Sequence, residues 1–171
     1  MSLPKTLSTL LAVWLLAACA SAPPQTATAL EFVLVRHAEK ANDDPRDPSL
    51  SPDGLARAQR LADSLAGQDV FAVYATDYRR TRDTATPTAA AHATAVTVYD
   101  AKRPAAEFAA QLRARHPTGT VLVVGHSNTV PEIAAALCAC TVAPMAESEF
   151  DRRIAIVFDA QGHARVSETR Y

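Results

Sequence analysis

The sequence lacks the patterns that metal sites and nucleic-acid-binding surfaces require. It has three cysteines and five histidines in 171 residues, and its formal net charge is −1. No two histidines have His-x-x-x-His spacing, and no second cysteine pair completes a zinc ligand set. No extended run of lysines and arginines provides an electrostatic footprint for nucleic acid. We therefore expect no metal, no cofactor and no nucleic-acid partner.

The chain also lacks an apolar run long enough for a comfortable membrane span. The apolar stretch at residues 10–18 follows a single cation, Lys5, and fits the hydrophobic core of a secretory signal peptide. It ends in Leu-Ala-Ala-Cys, which resembles a bacterial lipobox with Cys19 as the lipidated residue. The alternative is an ordinary signal peptide with an incidental cysteine. By resemblance to lipoprotein sorting, Ala20 after the cysteine favours the outer membrane.

These features divide the chain into three parts. Residues 1–18 are predicted to be the signal peptide, and residues 19–30 form a tether of small residues, proline and threonine. Residues 31–171 remain for one domain, which is long enough to bury a single core. We expect this domain to lie in the periplasm, with membrane contact only through the N-terminal lipid.

Two further cysteines, Cys138 and Cys140, can pair in an oxidising compartment. A bridge between them requires a non-helical backbone, because side chains two residues apart on a helix point away from each other. A local structural disulfide and two reduced thiols are the favoured alternatives. A redox-active or metal-binding pair is the third.

Short apolar runs alternate with segments of helical spacing through most of the domain. This alternation predicts an α/β fold with three α/β/α layers around a mostly parallel sheet. The last two strands, around an Asp-Ala-Gln-Gly turn, read as an antiparallel hairpin at the sheet edge. The six predicted strands are 32–37, 70–75, 96–99, 120–126, 153–158 and 164–168.

Three local signals make predictions about the helices. Ser51 followed by proline indicates a helix N-cap. Thr129 and Glu132 fit a capping box, which also explains Glu132 without any catalytic role. A helix over residues 78–85 is expected to be interrupted by Thr86 and Pro87, after which the chain can resume a helix through Ala91.

Polar side chains follow three of the predicted strands. Arg36 and His37 end the first strand, residues 76–85 follow the second, and His126 ends the fourth. The carboxyl ends of parallel strands share one edge of a sheet, so these groups are expected to surround one hollow. Two imidazoles, several guanidiniums and a helix N-terminus suit a dianionic phosphoryl group. A neutral imidazole beside arginines can act as the nucleophile that forms a covalent phosphohistidine.

The motifs resemble those of a known family. Arg36-His37-Ala38-Glu39 resembles the Arg-His-Gly-Glu signature of the histidine phosphatase superfamily, which has the phosphoglycerate mutase-like fold. Residues 76–85 and 124–128 resemble its second and third motifs. The resemblance implies that His37 is the phosphorylated nucleophile, that Arg36 and Arg80 bind phosphate, and that His126 contacts the phosphoryl group from the opposite side.

Three arginines stand close together in the second motif. The register in which Thr81 and the Thr84-Ala85 pair match the family pattern selects Arg80. Arg79 and Arg82 then read as parts of a solvated helix face.

The sequence departs from the family pattern at two points. Ala38 replaces the usual glycine, which its small size should allow. The general acid is not evident: Asp100 and Glu107 are the candidates, and Glu107 also reads as an ordinary acid in the first turn of a helix.

The resemblance implies an enzyme, a metal-independent phosphatase acting on phosphorylated small molecules or phosphoproteins through a phosphohistidine intermediate. The missing acid supports an alternative, a non-catalytic envelope lipoprotein that binds a phosphate ligand. A phosphomutase is a further alternative, although the short chain has little room for the insertions that shape mutase pockets.

Overall fold

The computed structural model describes residues 29–171. The predicted signal peptide, Cys19 and the tether up to residue 28 lie outside the described residues. The described part contains six strands and four helices. In chain order they are β1 Leu30–Arg36, α1 Pro52–Leu65, β2 Val70–Thr76, α2 Arg79–Ala91, β3 Val96–Tyr99, α3 Ala105–Arg115, β4 Gly119–Gly125, α4 Thr129–Cys138, β5 Arg152–Phe158 and β6 Ala164–Arg170.

The six strands form one sheet in the order β3-β2-β4-β1-β5-β6. Strands β1 to β4 pair in parallel, whereas β5 is antiparallel to β1 and β6 is antiparallel to β5. The predicted fold class and the antiparallel edge are therefore confirmed. Arg36 pairs with Gly125 at the ends of β1 and β4, and Ala75 of β2 pairs with Val124. These pairings bring the carboxyl ends of the three strands together at the centre of the sheet edge.

Helices cover both faces of the sheet. Phe32 and Leu34 of β1 belong to the apolar cluster that contains α3 and α4 residues, whereas Val33 and Val35 belong to the cluster that contains α1 and α2 residues. Successive strand residues point to opposite faces. Residues 32–35 of β1 are all apolar because the strand is buried on both sides.

Helix α1 begins as its sequence predicts. The Ser51 hydroxyl accepts the backbone N–H of Gly54 at 3.1 Å. Gly54 also allows a close approach, since a Cβ there would lie 2.2 Å from the carbonyl oxygen of Glu39. Helix α1 therefore packs directly against the segment that follows β1.

Two helix predictions are wrong. Helix α2 continues through Pro87 to Ala91, because buried residues on both sides of the proline, including Thr84 and Thr88, hold the helix against the sheet. The predicted capping box does not form at the start of α4. Asn128 is the N-cap residue, and the Thr129 hydroxyl instead accepts the backbone N–H of His126 at 3.0 Å.

Helix α4 ends at Cys138, and Ala139 takes a left-handed conformation with φ 51°. This break in the helix brings the two cysteine Cα atoms to 5.2 Å, and a disulfide joins Cys138 to Cys140. None of the helices described in residues 29–171 has the length and apolar character needed to cross a membrane.

Candidate active site

His37 is the first residue after β1 and is only 3% exposed. Its backbone N–H donates to the carbonyl of Gly125 at 2.9 Å, which ties it to the end of β4. Its Nδ1 lies 2.8 Å from the carbonyl oxygen of Ala38. A carbonyl can only accept, so Nδ1 carries the proton and Nε2 of the neutral ring keeps its lone pair.

The pKa of the His37 ring is lowered to about 3. Burial is the largest cause, the hydrogen bond to Ala38 opposes it, and the positive charges of Arg36 and Arg80 act in the same direction as burial. The ring is therefore neutral over the ordinary pH range, as a nitrogen nucleophile must be.

His126 follows β4 and faces His37, with the two ring centroids 5.5 Å apart. Its Nε2 lies 2.9 Å from the hydroxyl of Thr76, which in turn lies 2.9 Å from the hydroxyl of Thr81. Burial first, and then the charges of nearby arginines, lower the pKa of His126 to about 4. The threonine pair orients the ring from the end of β2 and the start of α2.

The Arg36 guanidinium is anchored from one side only. Nη1 donates to the carbonyls of Ala146 at 3.2 Å and Glu147 at 2.5 Å, and Nη2 donates to the Glu147 carboxylate at 2.6 Å. The group also lies 4.4 Å from the centroid of the Phe150 ring. Its Nε is buried without a hydrogen-bond partner.

Arg80 presents a second guanidinium. It lies 4.3 Å from the centroid of the Tyr78 ring, and its Nη1 is 3.7 Å from an Asp47 carboxylate oxygen. Its Nε and Nη1 are buried and make no hydrogen bond. Buried N–H groups without partners are costly. Together with the Nε of Arg36, they are suited to an anion with several oxygens.

These side chains surround a cavity of about 380 Å³. Its charged lining comprises four cationic side chains and one carboxylate, and the start of α4 contributes the positive end of a helix dipole. Such a site favours an anionic ligand. The lining residues are Arg36, His37, Lys40, Tyr78, Arg80, Ala101, Lys102, His126, Ser127, Asn128, Thr129 and Glu147.

The structure thus brings together Arg36, His37, Arg80 and His126, all of which were selected from the sequence. Arg79 and Arg82 lie outside this cavity and face Asp43 and Asp77 respectively.

Neither predicted proton donor lines this cavity. The Asp100 carboxylate accepts the backbone N–H of Lys102 at 2.9 Å. Glu107 lies in the first turn of α3 and is 3.9 Å from the guanidinium of Arg103.

The carboxylate in the cavity belongs to Glu147, which the sequence analysis missed. It accepts a hydrogen bond from the Ser127 hydroxyl and pairs with Arg36. The Ser127 hydrogen bond is the largest cause that lowers the pKa of Glu147 below its usual range. Glu147 lies in the irregular segment between α4 and β5, and no periodic pattern or motif pointed to it.

The sequence of residues 32–103 matches the family described as histidine phosphatase superfamily, branch 1. No curated protein matches the chain in sequence. Several solved structures are similar to the chain in fold. The protein histidine phosphatase SixA complexed with tungstate has a TM-score of 0.68 and 20% identity, covering 82% of this chain and 96% of that one.

Two further structures show the same similarity. A SixA protein from Nakamurella multipartitia, provisionally named a phosphohistidine phosphatase, has a TM-score of 0.63 and 25% identity over 84% of this chain and 97% of that one. The mycobacterial glucosyl-3-phosphoglycerate phosphatase has a TM-score of 0.63 and 16% identity over 84% and 99%. The fold is that of the phosphoglycerate mutase-like histidine phosphatases. The sequence of residues 32–103 and the fold of the described residues are therefore both similar to those of the histidine phosphatase superfamily.

Proposed function

We propose that the protein is a metal-independent phosphatase that hydrolyses phosphomonoesters, or phosphorylated protein side chains, through a phosphohistidine on His37. One observation carries the proposal. A buried neutral imidazole shares a cavity with Arg36 and Arg80, whose guanidiniums have buried N–H groups without partners. A nucleophile and a binding site for phosphoryl oxygens therefore lie side by side.

In the first step, Nε2 of His37 attacks phosphorus and the ester oxygen departs. The ring becomes a cation as the N–P bond forms, and the Ala38 carbonyl that accepts the Nδ1–H stabilises this charge. The two arginines bind the equatorial oxygens. His126, oriented by Thr76, contacts the phosphoryl group from the other side.

In the second step, water attacks the phosphohistidine, the N–P bond breaks and phosphate leaves. The same arginines bind the same oxygens, so one arrangement serves both steps. The guanidiniums supply the positive charge that metal ions supply in other phosphoryl-transfer sites.

The test is hydrolysis of 4-nitrophenyl phosphate by the purified protein in the presence of a chelator. Replacing His37 by Asn should lower the rate by at least about 1000-fold, as expected when a nucleophile is lost. His163→Asn, at an exposed position remote from the cavity lining, is the matched control. Full activity in His37→Asn would refute the assignment. A screen over aryl, sugar, nucleotide and phosphohistidine substrates then identifies the substrate class.

A phosphate-binding protein without turnover is the second candidate. It is favoured by the position of Asp100 and Glu107 outside the cavity lining. The two candidate functions differ in how the protein holds phosphate. A binding protein holds phosphate without a covalent bond, whereas the enzyme accumulates acid-labile phosphate on His37.

We further propose that the domain is held at the bacterial outer membrane, on its periplasmic side, by a lipid on Cys19. The apolar run at residues 10–18 and the Leu-Ala-Ala-Cys sequence support this location. The Cys138–Cys140 disulfide suits an oxidising compartment. Labelling with a radioactive fatty acid should mark the wild-type protein. Cys19→Ala should abolish the label and release the protein from the membrane fraction.

A further inference from the structure

A second cavity adjoins the one that contains the histidines. Its volume is about 490 Å³, and three residues, Ser127, Asn128 and Glu147, line both cavities. The rest of this groove is mostly apolar and is formed by the first two turns of α4 and by the segment that follows the helix. The apolar side chains are Pro131, Ala135, Val142, Pro144 and Met145.

The arrangement locates the bond that breaks in a bound ester. With the phosphoryl group between the arginines and the organic group in the groove, the bridging oxygen lies at the boundary between the cavities. Of the three boundary residues, Ser127 and Asn128 do not ionise near neutral pH, whereas Glu147 carries a carboxyl group.

We propose that Glu147 is the proton donor to a leaving group bound in this groove. This inference rests on the phosphatase function proposed above. Among residues 29–171, Glu147 is the only carboxylate that lines the cavity containing His37 and His126. Glu132 lines only the groove and is not part of the lining of that cavity.

The contacts of Glu147 suit a side chain that exchanges partners. Its main-chain carbonyl is fixed by Arg36, whereas its side chain is 78% exposed and held by Arg36 and Ser127. A phosphoryl group at Arg36 brings negative charge beside the carboxylate, and an organic group in the groove displaces water from it. Both changes favour the protonated carboxyl. Substrate binding thus converts a carboxylate into an acid.

Other charged groups affect the protonation of the Glu147 carboxylate. Cations in the cavity oppose protonation until the phosphoryl dianion neutralises them, and Glu132 in the groove favours protonation. Besides Glu147, the ionisable side chains that line the two cavities are Arg36, His37, Lys40, Tyr78, Arg80, Lys102, His126 and Glu132.

The chemistry balances in both steps. As Nε2 of His37 bonds to phosphorus, the P–O bond breaks and the Glu147 proton passes to the departing oxygen. The resulting carboxylate then takes a proton from the water that attacks the phosphohistidine, which restores the acid as phosphate is released.

The experiment compares two aryl esters of similar shape whose leaving groups differ in their need for a proton. Phenyl phosphate needs an acid, whereas 2,4-dinitrophenyl phosphate releases a stable phenolate unaided. Glu147→Gln should lower kcat/KM for phenyl phosphate by about 100-fold or more, the usual contribution of a general acid. It should change kcat/KM for the dinitrophenyl ester less than about 3-fold, because the loss is confined to proton transfer. This parameter reports the phosphorylation step and not the later hydrolysis.

Two controls separate the outcomes. Glu107→Gln, at an exposed carboxylate outside the cavity lining, should leave both esters unaffected. For phenyl phosphate, the wild-type kcat should fall at alkaline pH as Glu147 loses its proton in the substrate complex. This fall should be absent from Glu147→Gln. Equal loss on both esters, no loss, or faster hydrolysis of both would overturn the proton-donor assignment. A wild-type protein that cleaves neither ester and forms no phosphohistidine would instead refute the phosphatase function itself.

Discussion

The rings of His37 and His126 face each other with their centroids 5.5 Å apart, although 88 residues separate them in the chain. Each is held by a neighbour that fixes its orientation, the Ala38 carbonyl for His37 and the Thr76 hydroxyl for His126. Both pKa values lie well below 6.5. Two neutral imidazoles therefore flank a cavity whose charge comes from arginines, and this division of roles leads to four predictions.

The first prediction concerns the choice of Arg80 over its neighbours. Arg80→Met removes a buried guanidinium with unpartnered N–H groups, so it should weaken inhibition by tungstate or phosphate. Hydrogen bonds to charged groups contribute about 1.5–3 kcal/mol, which corresponds to a roughly 10- to 100-fold higher inhibition constant. Arg79→Met and Arg82→Met remove cations of the same helix that lie outside the cavity lining, and they serve as controls. Equal effects at all three positions would mean that only general charge matters.

The second prediction is a loss of stability in acid. The folded protein keeps His37 neutral down to about pH 3, whereas the unfolded chain binds a proton below about pH 6.5. This contribution to stability is therefore complete above pH 6.5 and is lost as the pH falls towards 3.

Urea unfolding at pH 7.5 and pH 4.5 measures this effect. His37→Asn should reduce the pH dependence of the unfolding free energy by about 2–3 kcal/mol over that interval, because asparagine does not titrate. His163→Asn controls for the loss of an imidazole at the surface. An unchanged slope in His37→Asn would contradict the buried neutral state of the ring.

The third prediction concerns Thr84, which lies in α2 and supports the residue that follows His37. Its hydroxyl accepts the backbone N–H of Ala38 at 2.9 Å and donates to the carbonyl of Arg80 at 2.7 Å. Thr84→Val keeps the shape but leaves the buried Ala38 N–H unpaired, which should cost about 1–3 kcal/mol of stability. Activity should fall as well, because Ala38 also positions the His37 ring.

Thr86→Val is the matched control for Thr84. Thr86 is an exposed threonine of the same helix, and its hydroxyl also donates to a carbonyl one turn back, that of Arg82 at 2.8 Å. Its replacement should change the unfolding free energy by less than about 0.5 kcal/mol, as surface substitutions usually do. Equal losses of stability in the two variants would show that Thr84 has no special role.

Much of the site could be predicted from the sequence because it lies at strand ends. Arg36 and His126 follow apolar runs that identify buried parallel strands, and the carboxyl ends of such strands meet at one sheet edge. Selecting Arg80 from the sequence required the motif register, because three arginines stand within four residues. These residues converge in the structure as the strand order requires.

Other features depend on contacts that no local pattern encodes. Glu147 reaches the cavity from an irregular segment, held there by Arg36, more than 100 residues earlier. Pro87 was expected to interrupt α2, but burial of its helical neighbours against the sheet outweighs the lost hydrogen bond. Thr129 fits a capping box in the sequence, yet its hydroxyl bonds the backbone of His126. In each case tertiary packing decides between local alternatives.

The fourth prediction is the covalent intermediate on His37, which tests the central claim most directly. Wild-type protein is mixed with a radioactive phosphate ester, quenched within milliseconds in alkali, and digested for mass spectrometry. We predict one acid-labile, alkali-stable phosphate located on His37, absent from His37→Asn and formed no more slowly than turnover. Turnover without any phosphate on His37, or with phosphate on another residue, would contradict the account.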